Sequence, residues 1–213
     1  MNENIKALLF DFDGTLLDSF STHLEIYKIM FKHFGIEITK NQYLNSYSPN
    51  WYEVYKSMGL PKDAWEEADI IWLREASKRK TKIFATVKQT LSLLYEYYVL
   101  GLVTAGSRGR IHADLKRNEI MSLFQVLVTG DDVQNQKPAP DGLELALKQL
   151  NMTSTEAIYI GDSYADYEMA RAANVAFIWI KSPFTPVNAE PSYVQLNKIE
   201  DLPKLLGLDK KIL

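Results

Sequence analysis

Two rhythms of apolar residues run along this chain. Unbroken apolar runs at Lys6–Phe10, Tyr98–Val103, Gln125–Val128, Ala157–Ile160 and Val175–Ile180 lack the polar alternation of a half-exposed strand. Both of their faces should be covered, which points to buried parallel strands. Between them, apolar positions return at helical spacing. Val87, Leu91, Leu94 and Tyr95 form one stripe over Thr86–Tyr97, and Leu143, Leu147 and Leu150 mark a helix over Asp141–Leu150. Asp141, with Glu144 three residues on, predicts an N-cap and a capping box there. A third helix, Ala165–Ala173, should stop at Asn174, a residue that tolerates the left-handed cap. Strands alternating with helices predict an α/β fold with a doubly wound parallel sheet.

The alternation breaks between about Leu17 and Thr81. Phe20, Leu24, Tyr27, Phe31 and Phe34 recur at i+3 and i+4 spacing. Val54, Tyr55 and Met58 form a second set before the stop Gly59-Leu60-Pro61, and Trp65, Ala68, Trp72 and Ala76 form a third. No strand is expected here. Residues 17–81 read as a helical cap inserted just after the first strand, with residues 1–16 and 82–213 forming the core. The charged run Lys78-Arg79-Lys80 at its end reads as a solvated hinge.

Composition narrows the partners. The chain has 213 residues, 46% hydrophobic and 24% charged, with a net charge of −3. That is enough to bury a substantial core. There is no positive surplus to draw nucleic acid or an anionic membrane, and neither is expected as a partner. The absence of cysteine excludes thiolate metal sites, disulfides and a cysteine nucleophile. No apolar stretch approaches the ~20 residues that cross a bilayer, and Met1 to Ala7 lacks the basic start and apolar run of a secretory signal. A cytoplasmic protein, monomeric or weakly homo-oligomeric, is the expectation.

In open parallel sheets, ligands bind beyond the carboxyl ends of the strands. The first strand here runs straight into Asp11-Phe12-Asp13-Gly14-Thr15. The second ends at Thr104, followed by Ala105, Gly106 and Ser107. The third leads through Asp131 and Asp132 to Lys137-Pro138, and the fourth ends in Gly161-Asp162-Ser163 with Asp166 beyond. Taken singly each signal is ordinary, since an Asp after a strand commonly forms a turn. Together they place Asp11, Asp13, Asp162 and Asp166 in one small space, where carboxylates cannot all ionise without a cation or donors. An all-oxygen ligand set selects a hard ion, and magnesium is the expected one. Lys137 can hold a carboxylate ionised and bind a phosphate oxygen. The hydroxyl of Thr104 or Ser107 and the Gly-rich backbone behind it can donate to the remaining oxygens. This inventory suits phosphoryl transfer.

The residues Asp11-Phe12-Asp13-Gly14-Thr15-Leu16-Leu17-Asp18-Ser19, then Thr104, Lys137-Pro138, and Gly161-Asp162-Ser163 through Asp166 with Ala170, resemble the haloacid dehalogenase superfamily of hydrolases. The resemblance runs essentially end to end. It implies a Rossmann-like core with an α-helical cap, as in phosphoglycolate-phosphatase-like members. It further implies a magnesium-dependent phosphatase acting on a small phosphorylated metabolite through an aspartyl phosphate. Asp11 would attack phosphorus. Asp13 would protonate the leaving alcohol and then take a proton from water. Thr104 would bind the transferring group and Lys137 would stabilise it. Asp162 would bind the metal with Asp11 and the backbone carbonyl of Asp13, with Asp166 in support. Gly14, Thr15, Ala105 and Gly106 are expected around the phosphate. Two positions depart from the pattern: Ala105 stands where many relatives carry Asn, and Asn174 where many carry Gly.

Alternatives come from other residues. Dehalogenases usually lack the acid at Asp13. His23 sits where mutases resembling β-phosphoglucomutase carry a hinge histidine, yet Ile38–Leu60 contains no Arg for a second phosphate. A non-catalytic regulatory protein retaining the fold is a further alternative, opposed by the intact acids. His23, His33 and His112 form no ligand pattern. Tyr43, Tyr47, Trp51, Tyr52, Tyr55 and Trp65 are expected mainly to pack the cap, with Trp51 and Tyr47 exposed to substrate. Arg108 and Tyr164 are placed to reach the leaving group.

Overall fold

Ala7, Leu8, Leu9 and Phe10 are all sealed from solvent, and they form the strand from which the rest is organised. The structure is a computed structural model describing residues 4–48, 50–184 and 194–208. Its strands are β1 (Ala7–Phe10), β2 (Val99–Val103), β3 (Val126–Val128), β4 (Ala157–Gly161), β5 (Ala176–Ile180) and β6 (Val194–Leu196). Its α-helices are α1 (Phe20–His33), α2 (Lys40–Ser46), α3 (Trp51–Ser57), α4 (Trp65–Ser77), α5 (Val87–Tyr95), α6 (Arg108–Arg117), α7 (Asp141–Leu150), α8 (Tyr164–Ala172) and α9 (Leu202–Leu205). The strands make one parallel sheet in the order β3-β2-β1-β4-β5-β6. The order in which strands are added reverses between β1 and β4, the switch point at which such sheets bind ligands.

Side chains alternate across the sheet, so each strand serves two cores. Leu8, Phe10, Leu100, Leu102, Ile158 and Ile160 pack on one face with Leu91 of α5 and Ile111 and Leu115 of α6. Leu9, Val103 and Tyr159 pack on the other with Leu143 of α7 and Met169 of α8. Burying each such side chain contributes about 1.5–3 kcal/mol. The register sets Phe10 beside both Leu102 and Ile160. Asp11, Thr104 and Asp162 therefore leave the sheet at nearly one level.

Helices α1 to α4 form an inserted cap with its own apolar cluster, including Leu24, Tyr27, Phe31, Tyr43, Tyr55 and Ile71. Phe184, on the loop after β5, stacks on Tyr47 with ring centroids 3.7 Å apart and joins this cluster. Thr39 and Gln42 close a capping box at the start of α2.

The expected strands stand within a residue at each end, and a sixth, β6, was not foreseen. Its Val194 and Gln195 are exposed at the sheet edge, so it carries no buried apolar run. Helix α6 was also not foreseen. Asp141 needs correction: it is the first residue of α7, not its cap, and its side chain instead accepts hydrogen bonds from Asn135 N (3.2 Å) and Nδ2 (3.1 Å). Asn174 does adopt the left-handed conformation, at φ 55°. The run Lys78-Arg79-Lys80 is not simply solvated, because Lys78 and Arg79 both turn back onto Glu75. Among the described residues, no helix is long and apolar enough to cross a membrane.

Candidate active site

The chain leaves β1 with Phe12 turned into the core and Asp11 and Asp13 turned toward a common cavity. The tight turn that follows is anchored by Gly14 N donating to Leu17 O at 2.9 Å. Gly14 has φ +86°, and a Cβ there would stand 2.3 Å from Asp162 Oδ2. Only glycine lets the β1 turn lie this close to the β4 exit. Thr15 Oγ1 donates to Asp162 Oδ1 at 3.2 Å, so the first turn holds the fourth-strand carboxylate. Ser163 caps α8, and its hydroxyl and backbone N–H donate to Asp166 Oδ2 at 2.6 and 3.0 Å. Thr104 Oγ1 accepts from Gly106 N at 3.2 Å.

Lys137 ties these exits together. Its Nζ donates to Asp11 Oδ1 at 2.5 Å and to Asp166 Oδ1 at 2.7 Å, with the lysine only 6% exposed. Burial works against its charge, but Asp11 and Asp166 outweigh burial and hold it protonated. Oxygens of Asp11, Asp162 and Asp166 lie within 4.8 Å of one another. Three carboxylates thus face one ammonium. Burial, followed by the neighbouring carboxylates, pushes Asp162 well up, and burial likewise raises Asp11 against the pull of Lys137. Asp166 stays low despite burial, because Lys137, Ser163 and Tyr159 stabilise its charge. The cluster is short of positive charge, and its donors are all hard oxygens. It fits a small divalent cation.

Asp13 is held differently. Arg110 grips both its oxygens, with Nη1 3.1 Å from Oδ1 and Nη2 on Oδ2, and His23 Nε2 lies 3.6 Å from Oδ1. Burial would raise the Asp13 carboxyl, but Arg110 and His23 outweigh it and hold it at about 2. Burial drives His23 down to about 4. Arg110 is in turn backed by Asp114, 3.5 Å from Nη1.

Residues 8–180 match the family model of the haloacid dehalogenase-like hydrolases. The chain belongs to this family. The pyrophosphatase PpaX of Listeria monocytogenes is 31% identical over 95% of this chain and 96% of its own. A predicted phosphoglycolate phosphatase from Haemophilus somnus superposes with a TM-score of 0.85 at 18% identity, covering 97% of this chain and all of its own. CbbY from Rhodobacter sphaeroides, solved with phosphate, superposes at 0.79 and 20% identity over 96% and 99% of the two chains. With this membership the chain is an enzyme, a hydrolase of the phosphatase type.

The expected site residues of this haloacid dehalogenase-like hydrolase fall mostly on one cavity. Asp11, Asp13, Thr104, Lys137 and Asp166 line a single cavity of about 180 Å³. Ala105, Gly106, His23, Tyr47 and Trp51 line it as well. Gly14 and Thr15 lie behind, against Asp162. Arg108 and Tyr164 do not line it. Arg108 is half-exposed and turns to Asp132, while its backbone N–H donates to Asp131 Oδ2 at 2.8 Å. Tyr164 is 55% exposed. His33 pairs with Glu67 at 2.9 Å on the surface. Tyr43 and Tyr55 both pack the cap and face the cavity, whereas Tyr52 and Trp65 stack on each other with centroids 4.9 Å apart.

Sequence reasoning missed Arg110. It lies in the first turn of α6, where side chains lean back toward the helix N-terminus and so toward the strand exits. Gly106 makes the space for it: a Cβ there would stand 2.3 Å from the guanidinium. A Gly four residues before an Arg, just past a strand exit, is the signal that was available.

Proposed function

We propose that this hydrolase releases inorganic phosphate from a small phosphomonoester, with magnesium as cofactor and an aspartyl phosphate on Asp11 as intermediate. The observation that carries this is Lys137 bridging Asp11 and Asp166 beside Asp162, a carboxylate cluster one lysine cannot neutralise. Asp11, Asp162 and the backbone of Asp13 would hold the metal, with Asp166 in support. The ion would offset the charge of the cluster and of the incoming phosphate. We read residues 17–81 as the cap and 1–16 with 82–213 as the core.

In this reading the ionised Asp11 carboxylate attacks phosphorus and the P–O bond to the leaving alcohol breaks. Lys137 keeps Asp11 anionic and holds a phosphoryl oxygen, while Thr104 and the backbone of Ala105 and Gly106 donate to others. Asp13 supplies the proton to the departing alkoxide. It then takes one from the water that cleaves the acyl phosphate, and loses it to solvent as phosphate leaves and Arg110 closes on it again. Before substrate binds, Arg110 holds Asp13 ionised. An incoming dianionic phosphate gives Arg110 a competing partner, and Asp13, released from it, takes up the proton from solvent that it then gives to the leaving group. The cap walls of the cavity limit water during the first step.

The test is phosphate release from a panel of phosphorylated metabolites with magnesium and with excess chelator, for the unmodified enzyme and Asp11→Asn. Release that needs magnesium and vanishes in Asp11→Asn is expected. Full turnover in chelator, or a near-normal rate for Asp11→Asn, contradicts the reading. A hexose 1-phosphate converted to its 6-phosphate without free phosphate would instead mark a mutase.

A further inference from the structure

The reacting end of the cavity is ionic, but the cap end is aromatic. Tyr27, Tyr47, Trp51, Tyr55 and Trp72 face it there, and Asp69 stands among them. Among the described residues, no lysine or arginine of the cap lines the cavity; the cationic lining residues Arg110 and Lys137 both come from the core. Asp69 accepts hydrogen bonds from Tyr52 (3.0 Å) and Tyr55 (2.9 Å). A carboxylate has about four acceptor positions, so both phenols leave capacity on it. Among the described residues no cationic side chain forms an ion pair with Asp69. A carboxylate set among rings, with hydroxyl donors alone, lacks a counter-charge.

Arg110 does not supply one, because Asp13 and Asp114 already engage it. Its guanidinium carbon lies 6.0 Å from the centroid of Trp72, so one ring of this wall already hosts a cation on its face. Rings grouped around a negative charge are the chemistry that recognises an ammonium group. The cavity, at about 180 Å³, falls below the roughly 300 Å³ at which drug-sized ligand pockets begin.

We propose that the cap end of the cavity selects a leaving group with a small ammonium head, making the substrate class the phosphomonoesters of amino alcohols. This rests on the phosphatase reading above. A second phosphate or a carboxylate in that position would meet Asp69 with no cap cation to offset it.

The test compares kcat/KM, with magnesium, for phosphocholine, its uncharged isostere 3,3-dimethylbutyl phosphate, and phosphoglycolate, with p-nitrophenyl phosphate as a general substrate. Phosphocholine should exceed the isostere by about tenfold or more, as a desolvated cation on rings would give, and phosphoglycolate should be slower than both. Asp69→Asn should bring the ratio of phosphocholine to isostere close to one. Equal rates for the two, a preference for the isostere or phosphoglycolate, or a ratio that survives Asp69→Asn overturns the assignment. The comparison on the unmodified enzyme decides even where the variant does not fold. No release from p-nitrophenyl phosphate or any other ester means the phosphatase reading fails first. Release without a charge preference sinks the leaving-group assignment alone.

Discussion

Lys137 Nζ stands 2.5 Å from Asp11 Oδ1, joining the loop after β3 to the exit of β1 over the end of the intervening β2. In the proposed chemistry this ammonium keeps the nucleophile anionic and meets the charge that develops on phosphorus. Lys137→Ala should therefore lower kcat by about 10²–10³-fold, the range for losing one preorganised charge stabiliser. Steady-state rates with saturating magnesium check it. A loss below threefold would remove Lys137 from the mechanism.

The carboxylate cluster makes a prediction independent of turnover. A cation that binds the folded chain at a hundredfold excess over its Kd stabilises it by about 2.7 kcal/mol. For a chain of this size that raises Tm by about 5–10 °C. Magnesium should produce such a rise, chelator should reverse it, and Asp162→Asn should lose most of it. Differential scanning calorimetry reads all three. A Tm indifferent to magnesium in the unmodified protein would leave the cluster without its cation.

Gly14 and Gly59 both have positive φ, +86° and +76°, but only Gly14 faces an obstacle. Alanine at either position costs about 1–2 kcal/mol for the left-handed backbone. At Gly14 the new methyl also drives into Asp162, so Gly14→Ala should lower Tm further and cut kcat. Gly59→Ala, with nothing within 4 Å of the new methyl, should lower Tm by a few degrees and leave kcat intact. Matching kcat values for the two variants would show that the close approach of Gly14 to Asp162 is dispensable.

Much of this architecture was legible because burial on both faces writes a plain apolar run. Leu8 and Leu9 face opposite cores, so β1 had no polar position to blur it. The site followed because its acids sit at strand exits, where sequence order fixes them. What stayed hidden depends on packing in three dimensions. In α6, Ile111 and Leu115 are the apolar contacts among charged neighbours, too few to mark a helical stripe. Arg110 and Arg108 look alike in sequence, yet one turns onto Asp13 and the other onto Asp132. Asp141 has the composition of a cap, but Asn135 competes for its carboxylate. Asp69 carries no signal in the sequence, since its meaning comes from the rings that α1, α2 and α3 bring around it.

Glu75 supplies the last prediction, at the junction between α4 and the return to the core. Hydrogen bonds from Lys78 (2.6 Å) and Arg79 (3.1 Å) hold its carboxyl at about 2, below the ordinary 4.5. A group whose folded pKa is depressed adds stability above its unfolded pKa and loses it as pH falls through the folded value. Glu75→Gln should therefore lower Tm at pH 7, and the gap to the unmodified protein should narrow between about pH 4.5 and 2 as Glu75 itself becomes neutral. Paired melting curves across that range measure it. A gap that stays constant down to pH 2 would mean that Glu75 acts through packing and not through its charge, and that Lys78 and Arg79 are bystanders.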